Sequence, residues 1–202
     1  MAGLGAELAG PTPGPEGNAW AALLEEIERC RRCPLGAVRT RVVVYRGAAH
    51  PKLVFLGEAP GREEDQAGIP FVGRAGKRLD AAIAQLGLPP SAFGVLNLVK
   101  CRPPDNRLTR GPIDACRPFL DRQFALLQAS IVVSLGAHAL ANLDPAAPGV
   151  MTAAGRPRRI GRLWLFPLLH PAATFRSRRA ATRWADDLEK LRGWLLPRLE
   201  TL

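Results

Sequence analysis

The residues of this chain best able to do chemistry are four cysteines, a carboxylate in a Gly/Pro-rich turn, an asparagine in an apolar run and a histidine before proline. Cys30 and Cys33 stand in C-x2-C spacing, which lets two thiolates meet one metal centre, while Cys101 and Cys116 lie far off in sequence. A site shared by all four would staple the N-terminal segment to the middle of the fold. Four thiolates suit zinc or an iron–sulfur cluster, and a redox C-x2-C beside two buried thiols would use the same residues. Glu58 sits in the turn Gly57-Glu58-Ala59-Pro60-Gly61. There, backbone N–H groups and a carboxylate can surround a ligand, although a solvated loop has the same composition. Asn97 interrupts the apolar stretch 95–99, where a buried amide has to be hydrogen-bonded, to the protein or to a ligand. His170 follows an apolar run and precedes Pro171, and an imidazole can serve there as donor, acceptor or plain structure. His50 and His138 belong to no motif and read as surface or structural residues.

The elements that would position these groups follow from periodicity. Residues 1–17 are rich in Gly, Pro and Ala and read as a mobile tail, leaving 18–202 as one domain. Asn18 can cap a helix to about Arg31, with Trp20, Leu23, Leu24 and Ile27 on one face. Arg41–Tyr45, Lys52–Leu56, Val95–Val99, Ile131–Ser134 and Leu163–Leu168 have strand character. Helical spacing covers Gly73–Leu86, Pro112–Gln128, Ala137–Leu143 and Ser177–Trp194. This alternation predicts a single α/β domain, three-layered α/β/α, around a central, mostly parallel sheet of four to five strands. In open α/β sheets ligands bind beyond the carboxyl ends of the strands. Glu58, Asn97 and His170 all fall at or near such ends, so one site is expected to gather them.

Charge narrows the ligand. The 202 residues carry 28 Lys+Arg and 18 Asp+Glu, a formal charge of +10. The surplus is uneven, 12 − 10 = +2 over residues 1–100 and 16 − 8 = +8 over 101–202. Between Pro145 and Ala185 stand eight Arg and no acid, a face suited to anions and to nucleic acid above all. No apolar run approaches the roughly 18–20 residues of a membrane span, so no membrane partner is expected. The chain start lacks the basic and apolar regions of a signal peptide, which makes the cytoplasm the expected location and a disulfide framework unexpected.

Taken together the blocks become specific. Gly57-Glu58-Ala59-Pro60-Gly61, Glu64-Asp65 and Pro70-Phe71-Val72-Gly73-Arg74-Ala75-Gly76 closely resemble the first motif of the family 4 uracil-DNA glycosylases. Asn97-Leu98-Val99-Lys100-Cys101-Arg102-Pro103-Pro104 with Asn106-Arg107 resembles the second block, and His170-Pro171-Ala172-Ala173 the last. The cysteines resemble that family's iron–sulfur pattern, and the resemblance runs from about Trp20 to Trp194. It implies a uracil-DNA glycosylase-like fold and a monofunctional hydrolase of base excision repair, which flips uracil out of DNA, hydrolyses its N-glycosidic bond and leaves an abasic site. It implies a [4Fe–4S] cluster on Cys30, Cys33, Cys101 and Cys116, and a monomer acting on single- or double-stranded uracil-containing DNA. Glu58 and His170 would be catalytic. Gly57, Ala59, Pro60, Gly61, Phe71 and Asn97 would form the uracil pocket, with Phe71 stacking on the base and Asn97 meeting O4 and N3–H. Lys100, Arg102, Arg107, Arg176, Arg178 and Arg179 would contact DNA, and Phe175 is a candidate wedge.

The chain departs from the better-known family 1 enzymes at two positions of the first motif. Ala59 stands where those enzymes hold a water-positioning Asp, which leaves Glu58 as the nearest group for that task. Gly61 aligns with the Tyr that excludes thymine's methyl, so exclusion of thymine comes from elsewhere or is less strict. Three other readings use parts of the pattern. A relative trapped covalently on its product carries a loop histidine, whereas the stretch Asp105–Gly111 has none. An iron–sulfur-stapled, non-catalytic DNA-binding repair module would have no use for Glu58, Asn97 and His170 together. A nucleotide-processing enzyme would need the P-loop Lys and Ser/Thr that the Gly-rich turn lacks.

Overall fold

Strand residues alternate between two apolar layers, and that alternation builds the architecture. The computed structural model describes residues 17–201. Six strands form one sheet: β1 (Arg46–Gly47), β2 (Leu53–Gly57), β3 (Phe93–Asn97), β4 (Ile131–Leu135), β5 (Arg158–Ile160) and β6 (Leu163–Leu168), in the order β1-β3-β2-β4-β6-β5. The inner four are parallel, and β1 and β5 close the edges antiparallel. On one face Leu53, Phe55, Val95, Val133 and Phe166 pack with α4 (Arg74–Gln85) and α8 (Arg178–Thr201). On the other, Val54, Leu56, Leu96, Val132 and Leu165 pack with α1 (Asn18–Glu28), α5 (Arg110–Leu127) and α6 (Ala137–Leu143). Three layers with a sheet buried on both sides result, which is why its strands read as continuous apolar runs.

The departures from the expected elements have local causes. The sheet has six strands, because Arg158–Ile160 pairs along β6 despite a polar sequence that conceals it. Arg41–Tyr45 is not a strand. Its Val43 N–H bonds the Lys100 carbonyl at 2.8 Å and its Val44 carbonyl accepts from Gln123 Nε2 at 3.2 Å, so pairing with β3 starts only at Arg46. The first helix stops at Glu28, ahead of the C-x2-C segment. The last passes Pro197, a position without an N–H to bond back up the helix. Short helices α2 (Leu35–Val38), α3 (Arg62–Ala67) and α7 (Val150–Ala153) lie in stretches for which periodicity predicts no element. The expected mobile tail, 1–17, lies outside the described residues except for Gly17. Among the described residues no helix is long and apolar enough to cross a membrane.

Candidate active site and thiol centre

Three parallel strands deliver the polar groups to one place. Gly57 and Asn97 end β2 and β3 as paired neighbours, and His170 lies two residues past β6. Asn97 and His170 with Glu58 border a pocket of about 410 Å³, lined also by Ala59, Pro60, Gly61, Glu64, Phe71, Ala75, Pro103, Asn106, Ala172, Ala173 and Arg176. Gly57 lies beneath it: a Cβ there would come within 2.3 Å of Asn97 Oδ1 and 2.5 Å of the Phe71 ring. Glycine is therefore what allows the amide and the ring to meet over the strand end.

Each polar group is held in a definite state. Asn97 is 1% exposed, and its Oδ1 is buried with no hydrogen-bond partner. A buried orphan acceptor costs roughly 1–3 kcal/mol, so the site is built for a donor that the protein does not supply. His170 Nδ1 accepts the Ala172 N–H at 3.2 Å. That bond places the proton of the neutral ring on Nε2, making it a donor. Burial, aided by the nearby Arg176 charge, pulls the His170 pKa down to about 4, so the imidazole is neutral at pH 7. Its ring lies 6.0 Å from that of Phe71, tilted by 33°. Phe71 itself is buried and left-handed, φ 57°, a conformation costing about 1–2 kcal/mol in a residue with a Cβ. Glu64 joins the two loops of the pocket, accepting the Gly61 N–H at 3.0 Å and the Gly73 N–H at 2.8 Å.

Sequence reasoning passed over two groups near the chemistry. Glu64 has no role in the motif that contains it, and its place three residues after Gly61 is the N-terminal capping pattern that could reveal one. His138 belongs to no motif, yet its Nε2 lies 3.9 Å from Glu58 Oε1. No local signal marks it, because the two meet only through the packing of α6 beside the end of β2.

The candidate DNA contacts divide. Arg107, Arg176, Arg178 and Arg179 are exposed, Arg176 on the pocket rim. Arg102 is half-buried and donates to Asn106 Oδ1 at 3.2 Å. Phe175 is 40% exposed, with the Arg74 guanidinium 4.0 Å above its ring. Lys100 is a correction. It is 1% exposed and its Nζ donates to the Asn97 carbonyl at 2.5 Å, so it cannot reach a phosphate. A lysine beside a cysteine in a basic block looks like a surface cation, but here the chain turns inward at the end of β3.

Lys100 also borders the second centre. Cys30, Cys33, Cys101 and Cys116 line one small cleft of about 20 Å³, together with Arg39, Phe119 and Lys100. Arg39 Nη1 donates to Cys101 Sγ at 3.3 Å, the Lys100 N–H bonds the Cys116 sulfur, and Arg32 stacks 4.5 Å over Phe119, tying the C-x2-C segment to α5. Burial pushes the Cys101 and Cys116 thiols up and pulls the Lys100 ammonium down to about 8. Among the described residues no three His, Cys, Asp or Glu side chains converge closely enough to hold a single metal ion. The donor set, four thiols with two flanking cations around one cleft, still fits an anionic thiolate-bound group that spans the cavity.

Known proteins resemble the chain over most of its length. The family model for the Uracil DNA glycosylase superfamily matches residues 44–192. A type-4 uracil-DNA glycosylase of Sulfurisphaera tokodaii is 35% identical over 178 residues, 83% of this chain and 81% of its own. One from Thermotoga maritima is 37% identical, with 85% of this chain and 92% of its own covered. A third, from Saccharolobus solfataricus, is 37% identical over 75% of this chain and 74% of its own.

Proposed function

The chain belongs to the uracil DNA glycosylase superfamily and, within it, to the type-4 uracil-DNA glycosylases, and from that premise we propose how its residues carry out the reaction. It is a hydrolase that excises uracil from DNA in repair. Uracil, rotated out of the helix, enters the pocket and stacks on Phe71, an arrangement worth about 1–3 kcal/mol per base. Asn97 Oδ1 accepts N3–H and its amide nitrogen donates to O4. Cytosine presents the opposite pattern and would leave buried groups unpaired. The orphaned Asn97 Oδ1 at the pocket floor is the observation that carries this assignment.

Cleavage breaks the C1′–N1 bond, and its electron pair leaves on the base. His170 Nε2–H donates to O2 as negative charge builds there, and a preorganised donor of this kind is worth ~2.7–4 kcal/mol. The Glu58 carboxylate stabilises the oxocarbenium-like sugar and takes a proton from the water that adds at C1′, with His138 3.9 Å behind it. Glu58 then releases its proton to solvent and the departed uracil anion takes one up, so one water is consumed and the products are uracil and the abasic sugar. The exposed arginines at 107, 176, 178 and 179 hold the phosphates while this happens.

Cys30, Cys33, Cys101 and Cys116 hold a [4Fe–4S] cluster. The support is their shared cleft and the cationic Arg39 and Lys100 beside it. When bound, such a cluster here supplies a structural tie between three chain segments. The experiment for the activity is direct: a uracil-containing oligonucleotide incubated with the protein and treated with alkali is expected to break at the uracil. Strands left intact at uracil, or broken at cytosine, would overturn the reading.

A further inference from the structure

Arg46 is a buried cation at a sheet edge, 2% exposed, and the proposed reaction does not use it. Such a charge is costly unless fully paired, and a well-packed apolar residue is often the more stable choice. Its bonds run to the loop that carries Phe71 and to the helix after it. Nε donates to the Pro70 carbonyl at 2.9 Å, Nη2 reaches the Phe71 carbonyl at 3.5 Å, and Nη2 pairs with Asp80 Oδ1 of α4 at 2.6 Å. The Phe71 carbonyl is pressed so closely on Gly76 that a Cβ there would lie 1.8 Å from it. One guanidinium fork thus grips the two peptides that set the left-handed turn at Phe71, and Asp80 holds the fork at the same Nη2. A lysine has no fork with which to do this.

We infer that Arg46, anchored by Asp80, is a positioning residue for base recognition. It holds Phe71 in its strained conformation, so that the ring lies across the strand ends between Gly57 and His170 as a ready-made stacking face. The inference rests on the uracil reading above, because it assigns a second layer to the same pocket. Arg46 itself touches no substrate. Its effect passes through Phe71.

Two consequences separate this role from ordinary structural support. Removing the grip affects handling of the base and spares affinity for DNA that lacks one. The loss also overlaps with that of Phe71, since residues acting through one another are not additive. The variants are Arg46→Met, Arg46→Lys as the milder change that keeps the charge, Phe71→Ala and the Arg46/Phe71 double, each checked by thermal melting. Single-turnover excision from a uracil-containing oligonucleotide is measured beside affinity for the same oligonucleotide with an abasic site in place of the uracil. The expected result is a ten- to hundredfold loss of excision efficiency in both Arg46 variants. Abasic affinity should stay within twofold, and the double variant should be no slower than Phe71→Ala. Wild-type activity in either Arg46 variant, losses that multiply in the double, or an equal loss of abasic affinity would overturn the assignment. Failure of the wild-type protein to release uracil at all would instead sink the uracil reading, and this inference with it.

Discussion

The pocket at the strand ends and the cleft of the four cysteines meet at Lys100, yet they follow opposite rules of construction. The pocket leaves a buried acceptor unpaired and a histidine neutral, and it holds a phenylalanine in a strained turn. The thiol cleft surrounds its polar atoms with donors and cations from three segments. One region keeps bonding capacity in reserve for a visitor, while the other uses its capacity on permanent cohesion. Mutations should therefore separate them, the pocket failing in rate and the cleft in stability.

The sharpest way to break that contrast is to cut each region once. If the four thiols hold the proposed cluster, Cys101→Ser is expected to destabilise the protein by several kcal/mol, as loss of a structural metal group does, and to bleach the broad visible absorbance that such a cluster gives the wild type. His170→Ala should leave melting and colour alone while lowering kcat about 10²–10³-fold. Melting curves, iron analysis and turnover on one set of samples decide it. A colourless wild type with one stoichiometric zinc would remove the cluster, and a Cys101 variant as stable as wild type would remove the staple.

A finer comparison sets Lys100 against Arg178. Lys100→Met takes away a buried donor at the junction of the regions and should cost about 1–3 kcal/mol of stability, leaving the salt dependence of DNA binding unchanged. Arg178→Ala should do the reverse, flattening the slope of log affinity against log salt by about 1 with melting unaltered. If Lys100→Met changed the slope, the burial argument would fall.

The smallest expected effect concerns protons. Native His170 is neutral down to about pH 4, while in the unfolded chain it titrates near 6.5. Between those values the unfolded state binds the extra proton, so this group's contribution to stability falls as acid is added. Protonation also destroys the Nδ1 acceptor that holds Ala172 N–H, so the acid limb of kcat/KM from this group belongs near pH 4. Arg176→Gln removes a lesser, opposing charge and should move that limb upward by less than about one pH unit. A limb near 6.5 in the wild type would show that the ring is not buried as described.

What could be read in advance depended on whether position in the chain already dictates position in space. Glu58, Asn97 and His170 end or follow apolar runs, and the carboxyl ends of parallel strands converge by topology, so their meeting was legible. Phe71 was legible as a residue type but not as a left-handed one, because the strain is held by a guanidinium 25 residues earlier in sequence. Lys100 looked basic and exposed, and only the inward turn after β3 buries it. His138 meets Glu58 through helix packing, for which no short motif exists.

The spacing of the thiols has a consequence for how the protein comes into being. Cys33, the second of the C-x2-C pair, leaves the ribosome 116 − 33 = 83 residues before Cys116. Until Lys100 and Cys101 have followed, the two neighbouring thiols have neither a partner nor that flanking lysine, and the segment carrying them cannot close onto α5 until that helix is made. Synthesis thus opens a period in which the pair is exposed to premature oxidation. A reducing environment around the growing chain would keep the pair available until the later thiols arrive.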